Sequence, residues 1–303
     1  RAYGVRKVAI VDSDCHHGDG TQDIYWHDPE TLFISIHQDG RTLYPGTGFS
    51  DEIGGPTAAG TTLNIPLPPY TSEEGFLYVI DQVVLPILEE FKPDLVVNSA
   101  GQDNHFSDPI TNMSFTAHGY AALTERLKAD IAVLEGGYAI EGALPYVNVG
   151  IILAMAGLDY SRVKEPTYDP EKLRQKPEIT DWIKRIGDEV LTTWRNRGSI
   201  EKRMRSGKQF DERKRNIYYD TENLFEKQKE LLRVCPDCSG SLKIDSSSDK
   251  GTQVLAIHIP RSACRECRQL GYRWFEEADR NAYHYAYLQD RPEDKYLSKK
   301  LLS

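Results

Sequence analysis

Four short apolar runs punctuate the first part of the chain: KVAIVD at 7–12, TLFISIH at 31–37, DLVVNSA at 94–100 and DIAVLEG at 130–136. Their length and β-branched content predict buried strands. Between the second and third, GFLYVIDQVVLPILEEF at 75–91 sets apolar residues at helical spacing, and FTAHGYAALTERL at 115–127 does so again. Strands alternating with helices predict parallel strands joined by crossovers, an open α/β sheet with KVAIVD as an interior strand. Ligands of such sheets bind beyond the carboxyl ends of the strands. The four runs deliver DSDCHHGDG, HQDGRTLYPGTG, GQDNHFSDP and EGGY to that rim. One junction is abrupt: ERLKAD passes into the last strand almost without a turn, so residues are expected to be missing near 128–130.

Further on, VGIILAMAGL at 149–158 predicts a buried helix, and helical spacing returns at 181–195 and roughly 219–234. The segment 199–216 has seven Lys or Arg against three Glu or Asp; it reads as a solvated helix or linker, with a basic docking surface as the alternative. Three parts are expected: 1–165, a charged connecting region 166–230, and 231–303.

CPDC at 235–238 and CREC at 264–267 enclose 25 residues with a strand-turn-strand pattern, SLKI then SSSDKGT then QVLAIHI. Two such knuckles predict a zinc ribbon in which Cys235, Cys238, Cys264 and Cys267 hold one structural zinc. Aromatic residues follow in YRWF and YHYAY, read as packing, with base stacking as the alternative.

Composition narrows the function classes. A net charge of −9 argues against nucleic acid as a partner for the chain as a whole. No run approaches the ~18 apolar residues of a membrane span, and paired cysteines without a secretory signal point to a reducing compartment, the cytoplasm. The sequence opens at Arg1 and is expected to be part of a longer chain.

The rim residues suggest chemistry. On an extended segment Asp12, Asp14 and His16 point to one side while Ser13 and Cys15 face away. Two carboxylates and an imidazole in reach of one another call for a cation, although loop caps alone would also use these residue types. Asp103 follows another strand of the same sheet, behind the small residues SAG.

In this order and spacing, VDSDCHHGDGTQ, ISIHQDGRTLYPGTG, VNSAGQDNHFSDP and LEGGY resemble the zinc-dependent histone deacetylase family, including bacterial deacetylase-like, acetoin-utilisation and acetylpolyamine amidohydrolase relatives, over about residues 5–160. The resemblance implies an arginase-like α/β fold with a central parallel sheet. It implies a catalytic zinc on Asp14, His16 and Asp103, with Asp12 holding a histidine from an upstream segment. Ser35 and Ile36 fall in a potassium shell with Asp12, Asp14 and the His16 carbonyl, and Tyr138 falls on the catalytic tyrosine. His17, His37 and His105 match no ligand and are expected to make loop hydrogen bonds.

The implied reaction is hydrolysis of an acyl amide on a lysine-like amine. The general base belongs to a tandem histidine upstream of this sequence. Ile110 and Tyr44 fall at the substrate gate, and Ile110 stands where polyamine-selective relatives carry a glutamate, which favours acyl-lysine in a protein or peptide. An acetylpolyamine deacetylase is the rival enzyme, and a metal-binding scaffold the rival class. A homo-oligomer or a protein partner for the ribbon is left open.

Overall fold

A computed structural model describes residues 4–302. The chain forms two compact units: one runs to Gly55 and over Ala59–Ile200, the other takes Pro56–Ala58 and everything from Glu201.

The first unit is built on five parallel strands: β1 (Val8–Asp12), β2 (Thr31–Gln38), β3 (Thr62–Leu67), β4 (Leu95–Ala100) and β5 (Ile131–Leu134). They lie in the order β3-β2-β1-β4-β5, so β1 is interior as expected. Strand β3, TLNIPL, has no clear strand signature, because Asn64 and Pro66 interrupt its apolar pattern. The strand is nevertheless buried throughout, and it lies at the sheet edge, where a missing N–H is tolerated.

Helices α1 (Asp19–Tyr25), α2 (Glu73–Val79), α3 (Leu85–Phe91), α4 (Ala117–Leu127) and α5 (Leu144–Met155) belong to the same unit. The single helix expected over 75–91 is interrupted by a π-helical turn at Ile80–Val84. Pro86 follows at once in the first turn of α3, and the widened turn accommodates its missing N–H. Thr116 caps α4, its hydroxyl accepting from the Gly119 N–H at 2.9 Å. The abrupt junction after α4 closes through Lys128, whose left-handed φ of 48° ends the helix.

Helix α5 departs from expectation. Val147, Gly150 and Ile151 are buried, but Val149, Ile152, Met155 and the following Leu158 are exposed. The helix is apolar all round, and packing against α4 covers only one side of it.

Helix α6 (Pro177–Arg205) includes the predicted 181–195 stretch. The second unit carries a six-stranded sheet, β11-β10-β9-β8-β7-β6: β6 (Phe210–Tyr219), β7 (Leu224–Arg233), β8 (Leu242–Ser248), β9 (Gln253–Ile259), β10 (Tyr285–Asp290) and β11 (Lys295–Lys300). Helix α7 (Arg265–Glu276) packs on it through Phe275. The expected β8–β9 hairpin is present, but the helix expected at 219–234 is strand β7; of 199–216, the first residues end helix α6 and those from Phe210 open strand β6. LFEKQKELL is rich in helix formers, and ten-residue pairing with β6 overrides that propensity.

Candidate metal sites

In the first unit the strand order turns back between β1 and β4, which are neighbours, so the loops leaving their carboxyl ends flank the reversal point of the sheet. Asp14 and His16 come from the first loop, Asp103 from the second. Beyond Asp12 the chain is not extended: the Asp12 carboxylate accepts the Asp14 N–H at 3.1 Å, and the Asp14 carboxylate accepts the His16 N–H at 2.8 Å. Successive turns, rather than a pleat, bring the side chains together.

Ligand-type atoms of Asp14, His16 and Asp103 lie within 4.8 Å of one another. His16 Nδ1 is 2.8 Å from Asp103 Oδ2 and 3.2 Å from Asp14 Oδ1. Asp14 Oδ2 accepts the Gly136 N–H and Asp103 Oδ1 accepts the Cys15 N–H, each at 2.8 Å. Asp103 Oδ2 is therefore the oxygen facing the imidazole. Hydrogen bonds donated by the His16 imidazole to the Asp103 and Asp14 carboxylates hold a proton on His16, moving its pKa to about 10. Burial pushes Asp103 up, and Asp14 repels it further. Burial would also raise Asp14, but hydrogen bonds from His16 and the Gly136 N–H bring it below its usual value. A proton between two carboxylates occupies the place a divalent cation takes, so the donor set fits zinc.

Two glycines admit this crowding. A Cβ on Gly101 would lie 2.2 Å from Asp14 Oδ2, and one on Gly136 would lie 2.5 Å from Asp103 Oδ2. SAG suggested the first, while nothing in EGGY identified the second as a contact of both carboxylates.

Tyr138, two residues beyond Gly136, sets its ring edge-on to His16 with centroids 6.3 Å apart, and is 48% exposed. Partial burial and the nearby carboxylates raise its pKa, so the phenol keeps its proton. Asp108, unremarked in the sequence, accepts the Tyr138 N–H at 2.9 Å and the Ile110 N–H at 3.0 Å, joining two rim loops. Its signal was the SDP turn, where an Asp before Pro favours side-chain to backbone bonding. Ile110 and Tyr44 are both exposed, and Tyr44 takes no part in this network.

Asp12 is buried, and its pKa is driven up first by that burial. Ser35 and Ile36 are buried in β2, and the Ser35 hydroxyl meets His37 Nδ1 at 2.8 Å. The three remaining rim histidines make loop hydrogen bonds. His17 bonds Thr47 and Gln22, His37 bonds the Gly48 carbonyl, and His105 pairs with buried Glu165 at 3.1 Å. Burial lowers the pKa of His17, and of His37 to about 3, so both are neutral imidazoles.

In the second unit Cys235, Cys238, Cys264 and Cys267 also place their sulfurs within 4.8 Å of one another, with Cys235 and Cys264 at 3.9 Å, and all four are free thiols. A tetrahedron of sulfurs about 2.3 Å from zinc has edges of about 3.8 Å. Gly240, at φ 74°, donates its N–H to Cys238 Sγ at 3.3 Å, and a Cβ there would strike the Arg233 carbonyl at 1.9 Å. Cys264 caps α7, and the Cys267 N–H helps bring its thiol pKa down. Arg205 Nη1 donates to the Cys235 carbonyl at 2.6 Å, tying down the first knuckle.

The profile of the histone deacetylase domain matches residues 1–148. The "Probable deacetylase" of Archaeoglobus fulgidus is 52% identical over 183 residues, covering 57% of this chain and 50% of that protein. "Histone deacetylase 14, chloroplastic" of Arabidopsis thaliana is 39% identical over 150 residues, covering 46% and 35%. Among solved structures, the HD domain of HDA15 superposes with a TM-score of 0.56 at 29% identity, covering 66% of this chain and 54% of that one. The chain thus spans half or less of the length of these curated relatives. No helix among the described residues is long and apolar enough to cross a membrane.

Proposed function

From the match of residues 1–148 to the histone deacetylase domain, we propose that the protein is a zinc-dependent hydrolase that removes an acetyl or other acyl group from a lysine-like amine, with acyl-lysine in a protein or peptide as substrate. The observation that carries the reading is the convergence of Asp14, His16 and Asp103 at the reversal point of the sheet, with a protonated tyrosine beside them. Zinc held by these three would polarise the amide carbonyl and make a bound water more acidic.

The chain's own groups supply the rest. Tyr138 donates its phenol hydrogen to the oxygen that gains charge as the carbonyl is attacked. Gly101 and Gly136 keep side chains out of the ligand cluster, and the Gly136 N–H orients Asp14. Asp12 positions a general base supplied by the upstream tandem histidine; His16 serves as ligand, and His17, His37 and His105 have other hydrogen-bond partners. A potassium ion bound by Ser35 and Ile36 oxygens would stiffen the loop beneath. Apolar Ile110 at the rim favours acyl-lysine over a polycation. The cysteine cluster is a zinc ribbon that holds a structural ion, and cysteines committed to zinc rather than to disulfides suit a reducing compartment such as the cytoplasm.

The test is hydrolysis of an acetyl-lysine peptide by the full-length protein loaded with zinc, with acetylated spermidine as the competing substrate. Turnover of the peptide alone supports the reading, and turnover of the polyamine alone transfers it to that substrate class. A full-length protein that binds zinc and hydrolyses neither is a scaffold.

A further inference from the structure

Toward the β10–β11 edge, the sheet of the second unit has one covered face and one exposed face. Leu255, Ile257 and Ile259 of β9 and Ala286 and Leu288 of β10 are buried in a cluster with Phe275 of α7. Alternation along the strands sends the intervening residues to the other side: His258 from β9, and Tyr285, Tyr287 and Gln289 from β10. Strand pairing adds Lys300, Ser298 and Tyr296 of β11 to this side. Tyr285, Tyr287 and Tyr296 are 37, 46 and 63% exposed. The first two rings run nearly parallel, 20° between planes and 6.3 Å between centroids. Tyr296 is held in place through its hydroxyl, which accepts from Gln289 Nε2 at 3.1 Å and Arg291 Nη1 at 3.0 Å.

Charge favours an anionic occupant. Strands β9, β10 and β11 place no carboxylate on this face. The two that β7 adds and the one that β6 adds have other partners: Glu230 lies 3.5 Å from both Arg213 and Arg215, Glu226 accepts from Gln228 at 2.8 Å, and Asp211 accepts from Lys208 at 2.6 Å. The net charge of −9 conceals a division. Residues 201–303 have 21 Lys or Arg against 17 Asp or Glu, whereas residues 1–200 have 16 against 29. The acidic surplus therefore belongs to the first part alone, and the second carries a net positive charge.

We propose that this face is a stacking platform for single-stranded nucleic acid, with bases on Tyr285, Tyr287 and Tyr296 and phosphates attracted by Lys300 and Arg291. Rings presented side by side on adjacent strands match the faces of successive unpaired bases, which a duplex hides within its own stack.

The test is fluorescence anisotropy of labelled oligo(dT) and oligo(U) of about 20 nucleotides, titrated with the full chain at low and at physiological salt. Micromolar or tighter binding is expected. Y285A/Y287A should weaken it by roughly 10-fold or more, while Y285F/Y287F, which keeps the rings, should match the wild type. A duplex of equal length should compete roughly 10-fold less well. If circular dichroism shows Y285A/Y287A misfolded, Y296A on the edge strand β11 makes the same comparison. Absence of binding at low salt overturns the proposal. So does unchanged binding by a folded alanine variant, or equal competition by duplex, since either would leave only attraction to phosphate.

Discussion

The two ligand clusters of this chain meet the same geometric limit by opposite means. Asp14, His16 and Asp103 come from loops at the ends of two parallel strands and sit beneath a tyrosine that remains half exposed. The four cysteines come from two tight knuckles, and three of them are buried. The first set offers three protein ligands and leaves room for a reacting group. The second offers four and leaves none. The sheet surrounds the first cluster with packing that exists without a metal, whereas the thiols have only a small local cluster of their own. Removing metal from the two sites should therefore have different consequences.

The largest difference is expected on losing a thiolate. Structural zinc in small domains contributes about 10 kcal/mol or more to folding. Cys238→Ser should lower zinc content by one per chain and expose the amides of β7, β8 and α7 to fast hydrogen exchange, while the five-stranded sheet stays protected. Retained protection throughout the second sheet would show that its strands hold without the ion.

Asp103→Ala is expected to do the converse. It should also remove one zinc and abolish turnover, but the metal-free protein should melt within a few degrees of the metal-free wild type, since a buried carboxylate repelled by Asp14 is lost. Acidity sharpens the contrast. A group whose folded pKa is raised favours the folded state most below its unfolded value near 6.5 and loses that contribution as pH rises through the folded one. For metal-free His16 the loss extends toward pH 10. Zinc must displace that proton, so apparent affinity at this site should rise about tenfold per pH unit between pH 6 and 8. Zinc titration monitored on the C238S variant isolates the site. A flat profile would mean that His16 is already neutral.

The contrast also separates what sequence could reveal from what it could not. Asp14, His16 and Asp103 were legible because strand ends in an open sheet share a rim, and the cysteines because C-x-x-C is a complete local unit. Strand β7 was not legible, because LFEKQKELL has the propensity of a helix and becomes a strand through partners on β6 that lie 5 to 23 residues away across the strand pair. Edge strand β5, expected to be buried, leaves Ile131, Val133 and Leu134 exposed, and the outer side of α5 is exposed too, because an apolar pattern states what a residue prefers to touch, not what is beside it. Gly136 was missed as a contact of Asp14 and Asp103 because it is 122 residues from the first of them.

Tyr138 tests whether the open cluster is catalytic. Tyr138→Phe keeps the ring packed edge-on to His16 and removes only the donor aimed at developing charge. Under saturating substrate, kcat should fall roughly 100-fold with KM and melting temperature little changed. Equal turnover would reduce Tyr138 to a packing residue.

The smallest expected effect concerns Asp108, which touches neither the ligand cluster nor the phenol. Its carboxylate accepts two N–H groups, one from Tyr138 and one from Ile110, and so fixes the loop bearing the donor against the loop at the rim. Asp108→Asn preserves shape and keeps one accepting oxygen, but it turns an amide NH₂ toward an N–H that needs an acceptor. One buried hydrogen bond is lost, about 1 kcal/mol or somewhat more. If the oxygen is retained toward Ile110, the Tyr138 backbone loosens and kcat should fall several-fold, with the zinc content intact. The double variant D108N/Y138F should then be no slower than Y138F, because a positioning residue has nothing left to position once the donor is gone. Multiplicative losses in the double variant would assign Asp108 a separate role.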